Sequence, residues 1–96
     1  MLSVITTPPL GKLLHEFGDI KDLPDDQKVT YKPLLNWLKK KSFTLEANFP
    51  DTGEASLQVY FVLQATTAPT EEEVTFLLTL PGIDGAYEKP MEDLPG

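Results

Sequence analysis

Hydrophobic positions follow a helical period in the N-terminal part of the chain and a strand period after it. Leu10, Leu13, Leu14 and Phe17 fall at i, i+3, i+4 and i+7, one stripe of an amphipathic helix. Pro9 suits a first turn and Gly18 a C-terminal stop, which places a helix over 9–17, with Gly11 an unfavourable interior residue. Asp19 to Lys28 is rich in turn formers and reads as a connector with one helical turn after Pro24. Thr30-Tyr31-Lys32-Pro33 opens a second helix, on which Leu34, Leu35, Trp37 and Leu38 supply a broad apolar side. Its end carries Lys39, Lys40 and Lys41, where the helix dipole favours cations.

From Ser42 onward the period drops to 2. Phe43, Leu45, Ala47 and Phe49 alternate with Ser42, Thr44, Glu46 and Asn48, and Pro50-Asp51-Thr52-Gly53 is a tight-turn sequence. A long strand is expected at 54–66, with Ala55, Leu57, Val59, Phe61, Leu63 and Ala65 on one side and Ser56, Gln58, Tyr60, Val62 and Gln64 on the other. The segment 70–80 satisfies two patterns at once. Thr70 and Glu73 have the spacing of a capping box, which starts a helix, while Val74, Phe76, Leu78 and Leu80 alternate with Thr75, Leu77 and Thr79 in β-rich company. The alternation favours a third strand, ended by Pro81-Gly82.

The fold expected is therefore α+β: two short N-terminal helices packed on one face of a three-stranded antiparallel meander, with residues 1–80 as one domain and 81–96 as an extended acidic tail. The expected core comprises Leu13, Leu14, Phe17, Leu34, Leu38, Phe43, Leu45, Leu57, Val59, Phe61, Leu63, Val74, Phe76 and Leu78.

Composition narrows the chemistry. Ninety-six residues suit one domain, and the absence of cysteine removes disulfides, thiolate metal sites and cysteine nucleophiles. The formal charge is −7, and all eight cations are lysine. Residues 1–50 hold seven lysines against six acids, whereas residues 51–96 hold Lys89 against nine acids, so the halves carry +1 and −8. That field and the lack of arginine disfavour nucleic acid. No apolar run approaches a membrane span, and the N-terminus lacks the basic start of a signal peptide, so a cytoplasmic protein is expected.

Catalytic constellations are missing. His15 beside Glu16 has no companion histidine or cysteine, and Ser3, Ser42 and Ser56 lie in no nucleophile elbow. Glu71, Glu72 and Glu73, with Asp51 and Glu54, could offer oxygen ligands to a hard cation, but the spacing fits no EF-hand loop, and a solvated acidic surface is the simpler reading. Helix, turn, helix and hairpin is also the element order of a winged helix, a likeness of layout in which Lys39–Lys41 would meet DNA. A non-enzymatic protein is expected, with no cofactor, no metal and no small-molecule substrate.

The informative pattern is the outer sheet face. Ser42, Thr44, Asn48, Ser56, Gln58, Tyr60, Val62, Gln64, Thr75, Leu77 and Thr79 would line it, with Glu46 the single charge among them. Depletion of charge around an aromatic is the character of an interface core. Gln58, Tyr60, Val62, Gln64, Thr75, Leu77 and Thr79 are accordingly candidate partner-binding residues. Tyr87, Met91 and Leu94 of the tail, apolar anchors among acids, form a second set. Cover for the face could come from a partner or from the chain's own ends, Leu2-Ser3-Val4-Ile5 or the tail. The function expected is a protein-interaction module (adaptor, inhibitor or assembly subunit) bound to a protein partner or to itself. An acidic mimic that blocks a nucleic-acid-binding surface is the alternative, and winged-helix DNA binding the third.

Overall fold

A computed structural model of the chain describes residues 2–54 and 56–88. Strand β1 (Leu2–Thr6) opens the fold and is followed by helices α1 (Pro8–Phe17), α2 (Asp25–Thr30) and α3 (Lys32–Lys41), with a 3-10 turn at Ile20–Asp22. Strands β2 (Thr44–Ala47) and β3 (Tyr60–Gln64), helix α4 (Glu71–Leu77) and strand β4 (Ile83–Glu88) complete it.

Local chemistry accounts for the helix ends. Helix α1 has proline in its first turn and stops at Gly18, whose φ of 87° suits glycine and whose N–H donates to the Leu14 carbonyl. Helix α3 likewise starts with proline, gathers Lys39, Lys40 and Lys41 in its last turn, and ends at Ser42 in the left-handed region. Both follow the sequence expectation closely. Helix α2 realises the turn expected after Pro24, with Asp25 and Asp26 favourably placed at its start.

The sheet has four strands in the order β2-β3-β1-β4, every neighbouring pair antiparallel. Strands β1 and β2 therefore point the same way with β3 between them, and β3 and β4 point the same way with β1 between them. Each like-directed pair needs a crossover, which α1 to α3 supply for the first and α4 for the second. This interlocked arrangement is the split βαβ pattern.

The α+β class stands, but the topology differs from a meander of three strands under two helices. Leu2–Thr6, regarded above as a possible cover segment, is a central strand. Ile83–Glu88, assigned above to the tail, is an edge strand, so the domain runs on past residue 80. The long strand expected at 54–66 begins only at Tyr60, because Leu57 and Gln58 donate their amides to the Glu54 carbonyl and form turns. Residues 71–77 are helical: the Thr70 side chain accepts from the Glu73 amide at 3.2 Å, and Glu73 accepts from the Thr70 amide at 2.8 Å. That complete capping box satisfies two otherwise orphaned amides, and it outweighs the β preference of Val74, Thr75 and Phe76.

One core lies between the helices and the inner sheet face. Leu2, Val4, Phe61 and Leu63 from the sheet meet Leu10, Leu14, Leu34, Trp37, Leu38 and Leu77 from the helices. Trp37 stands edge-on to Phe43, with ring centroids 5.3 Å apart. Phe17, expected in the core, is exposed at the end of α1, and Phe76 and Leu78 are exposed because the helical turn of α4 points Leu77 inward and rotates its neighbours out. Gly11 has its own explanation: an added Cβ would sit 2.6 Å from the Gln58 carbonyl oxygen, so only glycine lets α1 approach the chain ahead of β3 this closely.

Candidate protein-interaction face

Pairing in register assigns side chains to the two sheet faces, because directly opposed residues share a face. Leu2 pairs with Leu63, and Val4 with Phe61, on the inner side. Ser3 pairs with Val62 and with Tyr87, and Ile5 pairs with Tyr60 and with Gly85, on the outer side. Strand β2 adds Thr44 opposite Gln64 and Glu46 opposite Val62. A Cβ added at Gly85 would meet the Ile5 Cδ1 at 3.7 Å, an ordinary contact. Phe49, in the connection after β2, stands edge-on to Tyr60 at 6.3 Å between ring centroids.

The outer face is thus a band of Ser3, Ile5, Tyr60, Val62, Gln64 and Tyr87, with Glu46 on the edge strand. None of these residues belongs to the buried cluster or to the side chains packed against it. Ser3 at 6% and Val62 at 9% exposure are nevertheless buried and Ile5 and Tyr60 half-buried, while Tyr87 is 50% exposed. Charge is segregated across the fold. The seven lysines of the N-terminal half all lie on the 3-10 turn or the helices α1, α2 and α3, on the other side of the sheet.

Tyr60, Val62 and Gln64 are brought together on this face as expected from the sequence. Gln58 stands just before β3, half-buried, with its carbonyl against α1. Thr75, Leu77 and Thr79 are not on the face, because their segment is helix and turn rather than strand. Leu77 is fully buried in the core, and the Thr79 hydroxyl donates to the Phe76 carbonyl at 2.6 Å. Tyr87 joins the face through β4, whereas Met91 and Leu94 lie outside the described residues. Ser3, Ile5 and Phe49 were not among the expected binding residues. The signal for the first two was available in Leu2-Ser3-Val4-Ile5, a short run with β-branched members.

Glu71, Glu72 and Glu73 form the first turn of α4, where the helix dipole favours carboxylates. Glu73 is held below the ordinary carboxylate range, first by the Thr70 amide and then by Lys41, whose Nζ lies 3.0 Å from its carboxylate. The third member of the triplet is thus committed to capping the start of α4 and tying that helix to α3.

His15 lies on α1 against the sheet. Its ring meets Phe61 edge-on at 5.7 Å, and its Nε2 is buried without a hydrogen-bond partner. Among the described residues, no group of three or more His, Asp or Glu side chains could hold a metal ion, and no helix is long and apolar enough to cross a membrane. No protein-family model matches the chain, and no match was found among curated proteins or solved structures.

Proposed function

We propose that this chain is a non-enzymatic protein-interaction module that docks a partner protein on its outer sheet face. The observation that carries this reading is the asymmetry of the sheet. Its inner face is closed by a single core, while its outer face sets half-buried Ile5 and Tyr60 and half-exposed Tyr87 around buried Ser3 and Val62, with Glu46 as the charge among its outward-facing positions on β1, β2 and β3. Outer faces that meet only water gain nothing from such depletion, whereas interface centres are depleted of charge and enriched in tyrosine. The tyrosines combine apolar area with a hydroxyl that can stay hydrogen-bonded at a rim.

Tyr60→Lys combined with Tyr87→Lys tests the reading in a pull-down or light-scattering assay against the partner. Phe17→Lys, on the exposed end of α1, is the control. Loss of association in the double variant alone supports the module. Equal association in all three chains refutes it.

A further inference from the structure

The inner side of the sheet is covered unevenly, and the uncovered part is a cleft. Leu45 of β2, Leu63 of β3 and Leu2 of β1 stand in one row across the sheet, on the side of the helices. Leu2 and Leu63 are buried, whereas Leu45, on the edge strand, is only half-buried. In the next inward row Phe61 is buried and Ala47 half-buried. The helical cover therefore stops short of β2. The space left there is a hollow of about 550 Å³, within the ~300–1,000 Å³ typical of small-molecule sites.

The floor of this hollow is apolar. Leu14 of α1, Ile20 of the 3-10 turn, Leu35 and Leu38 of α3, Phe43 and Leu45 form it. An adjoining hollow of about 470 Å³ shares Leu14 and Leu45 and continues to Ala47 and Pro50, so the cleft is elongated along β2. Three cations line the first hollow, each from a different element: Lys21 from the 3-10 turn, Lys28 from α2 and Lys39 from α3. Lys21 and Lys39 are exposed while Leu14, Ile20, Leu38 and Phe43 are buried, which puts charge at the mouth and hydrocarbon beneath it. In a chain of net charge −7 this is a local reversal of sign. Asp19 is the acid in the lining of the first hollow, and its carboxylate accepts from the Lys21 amide at 3.2 Å as the cap of the 3-10 turn. Among the described residues, the second hollow has Asp19 and Glu46 in its lining and no lysine, so the two ends of the cleft differ in charge.

We propose that this cleft binds a small amphipathic anion: a linear aliphatic carboxylate whose head meets Lys21, Lys28 and Lys39 and whose chain lies over Leu14 and Leu45 along β2. Removing the chain from water supplies the affinity, and the lysines select the charge. Lysine acts as a point charge, so it selects the sign of the head group without fixing a bidentate geometry. A more highly charged head would also face the Asp19 carboxylate. The site lies on the opposite side of the sheet from the outer face and needs no partner there.

Decanoate, decanol and decyltrimethylammonium, each kept below its micelle concentration, are titrated into the intact chain, with binding followed by calorimetry and by amide shifts in NMR. Decanoate should bind about tenfold more tightly than decanol, and the cation more weakly than either. The shifts should centre on Ile20, Leu38 and Leu45. Lys21→Gln, Lys28→Gln and Lys39→Gln combined should bring decanoate down to the affinity of decanol, and raising salt should narrow the difference in wild type. Circular dichroism confirms that the triple variant is folded. Decanol bound as tightly as decanoate, or a triple variant that keeps the difference, would overturn the proposal. So would shifts centred away from the cleft, or no binding at all. Binding that appears only in a chain carrying Met91→Glu and Leu94→Glu would give the cleft to the chain's own C-terminal residues and overturn the ligand.

Discussion

Gly11 provides a case in which two physical effects of opposite sign can be weighed on the structure. In an open helix, Gly11→Ala should stabilise by about 0.8–1 kcal/mol through helix propensity. Here the new Cβ would lie 2.6 Å from the Gln58 carbonyl oxygen, 3.0 Å from the Thr6 hydroxyl and 3.1 Å from the Gln58 carbonyl carbon. The nearest obstacle is backbone, so no side-chain rotation relieves it. The helix and the chain ahead of β3 must separate by more than half an ångström, and Thr6 resists that movement because its amide donates to the Val59 carbonyl at 2.8 Å. Overpacking of this kind typically costs ~1–3 kcal/mol. We expect a net loss of about 1–2 kcal/mol, a fall in Tm of roughly 4–16 °C for a domain of this size. Thermal melts and urea titrations followed by circular dichroism measure it. Gly53→Ala, with nothing within 4 Å of the added Cβ, serves as the reference and should lie within about 0.5 kcal/mol of wild type. A Gly11→Ala chain as stable as wild type, or more so, would refute the close approach of α1 to Gln58.

Thr70→Ala removes the hydroxyl that accepts from the Glu73 amide and should cost about 1 kcal/mol in urea denaturation, with helical signal lost from α4. Leu77→Ala opens the fully buried centre and should cost ~2–5 kcal/mol, whereas Thr75→Ala on the exposed side of the same helix should stay within ~0.5 kcal/mol. The carboxyl of Glu73 titrates below its ordinary value of 4.5 in the folded chain, so its contribution to stability is complete above that value and disappears as pH falls through the folded one. Glu73→Gln should therefore flatten part of the loss of stability on acidification, as measured by denaturation at about pH 7 and about pH 3. An unchanged slope would show that the Thr70 amide and Lys41 do not hold this carboxylate.

Elements whose stability is mostly local were legible in the sequence. Helices α1 and α3 carry their own start and stop residues, and the alternation through Phe61 and Leu63 fixed which side of β3 faces inward. What escaped was set by long-range pairing. Strand β1 is flanked by β3 and β4, and its five residues Leu2–Thr6 are too short a run to announce a central strand on their own. Strand β4 contains Asp84 and Gly85, poor strand formers that give no strand signal in the sequence and are held by pairing with β1. In α4 the correct signal was present as Thr70 and Glu73, but it competed with residues of low helix propensity. The need for a crossover from β3 to β4 resolves that conflict, and only the topology reveals it. The outer face was half visible for the same reason: its β3 members came from a strand the pattern exposed, and its Ser3, Ile5 and Tyr87 from strands it did not.

The central position of β1 also has a consequence for how the molecule comes into being. In chain order this strand precedes both of its partners, β3 and β4, with Leu2 finally lying beside Leu63 and Glu88. A ribosome-bound chain can form α1 and α3 early, but β1 must wait until β3 has emerged to pair one edge and until β4 has emerged to pair the other. Folding should then be a late, concerted event dominated by distant contacts, slow for a chain of this length. Shortening the C-terminal end into β4 would leave the middle of the sheet permanently open on one side, an invitation to strand exchange between molecules.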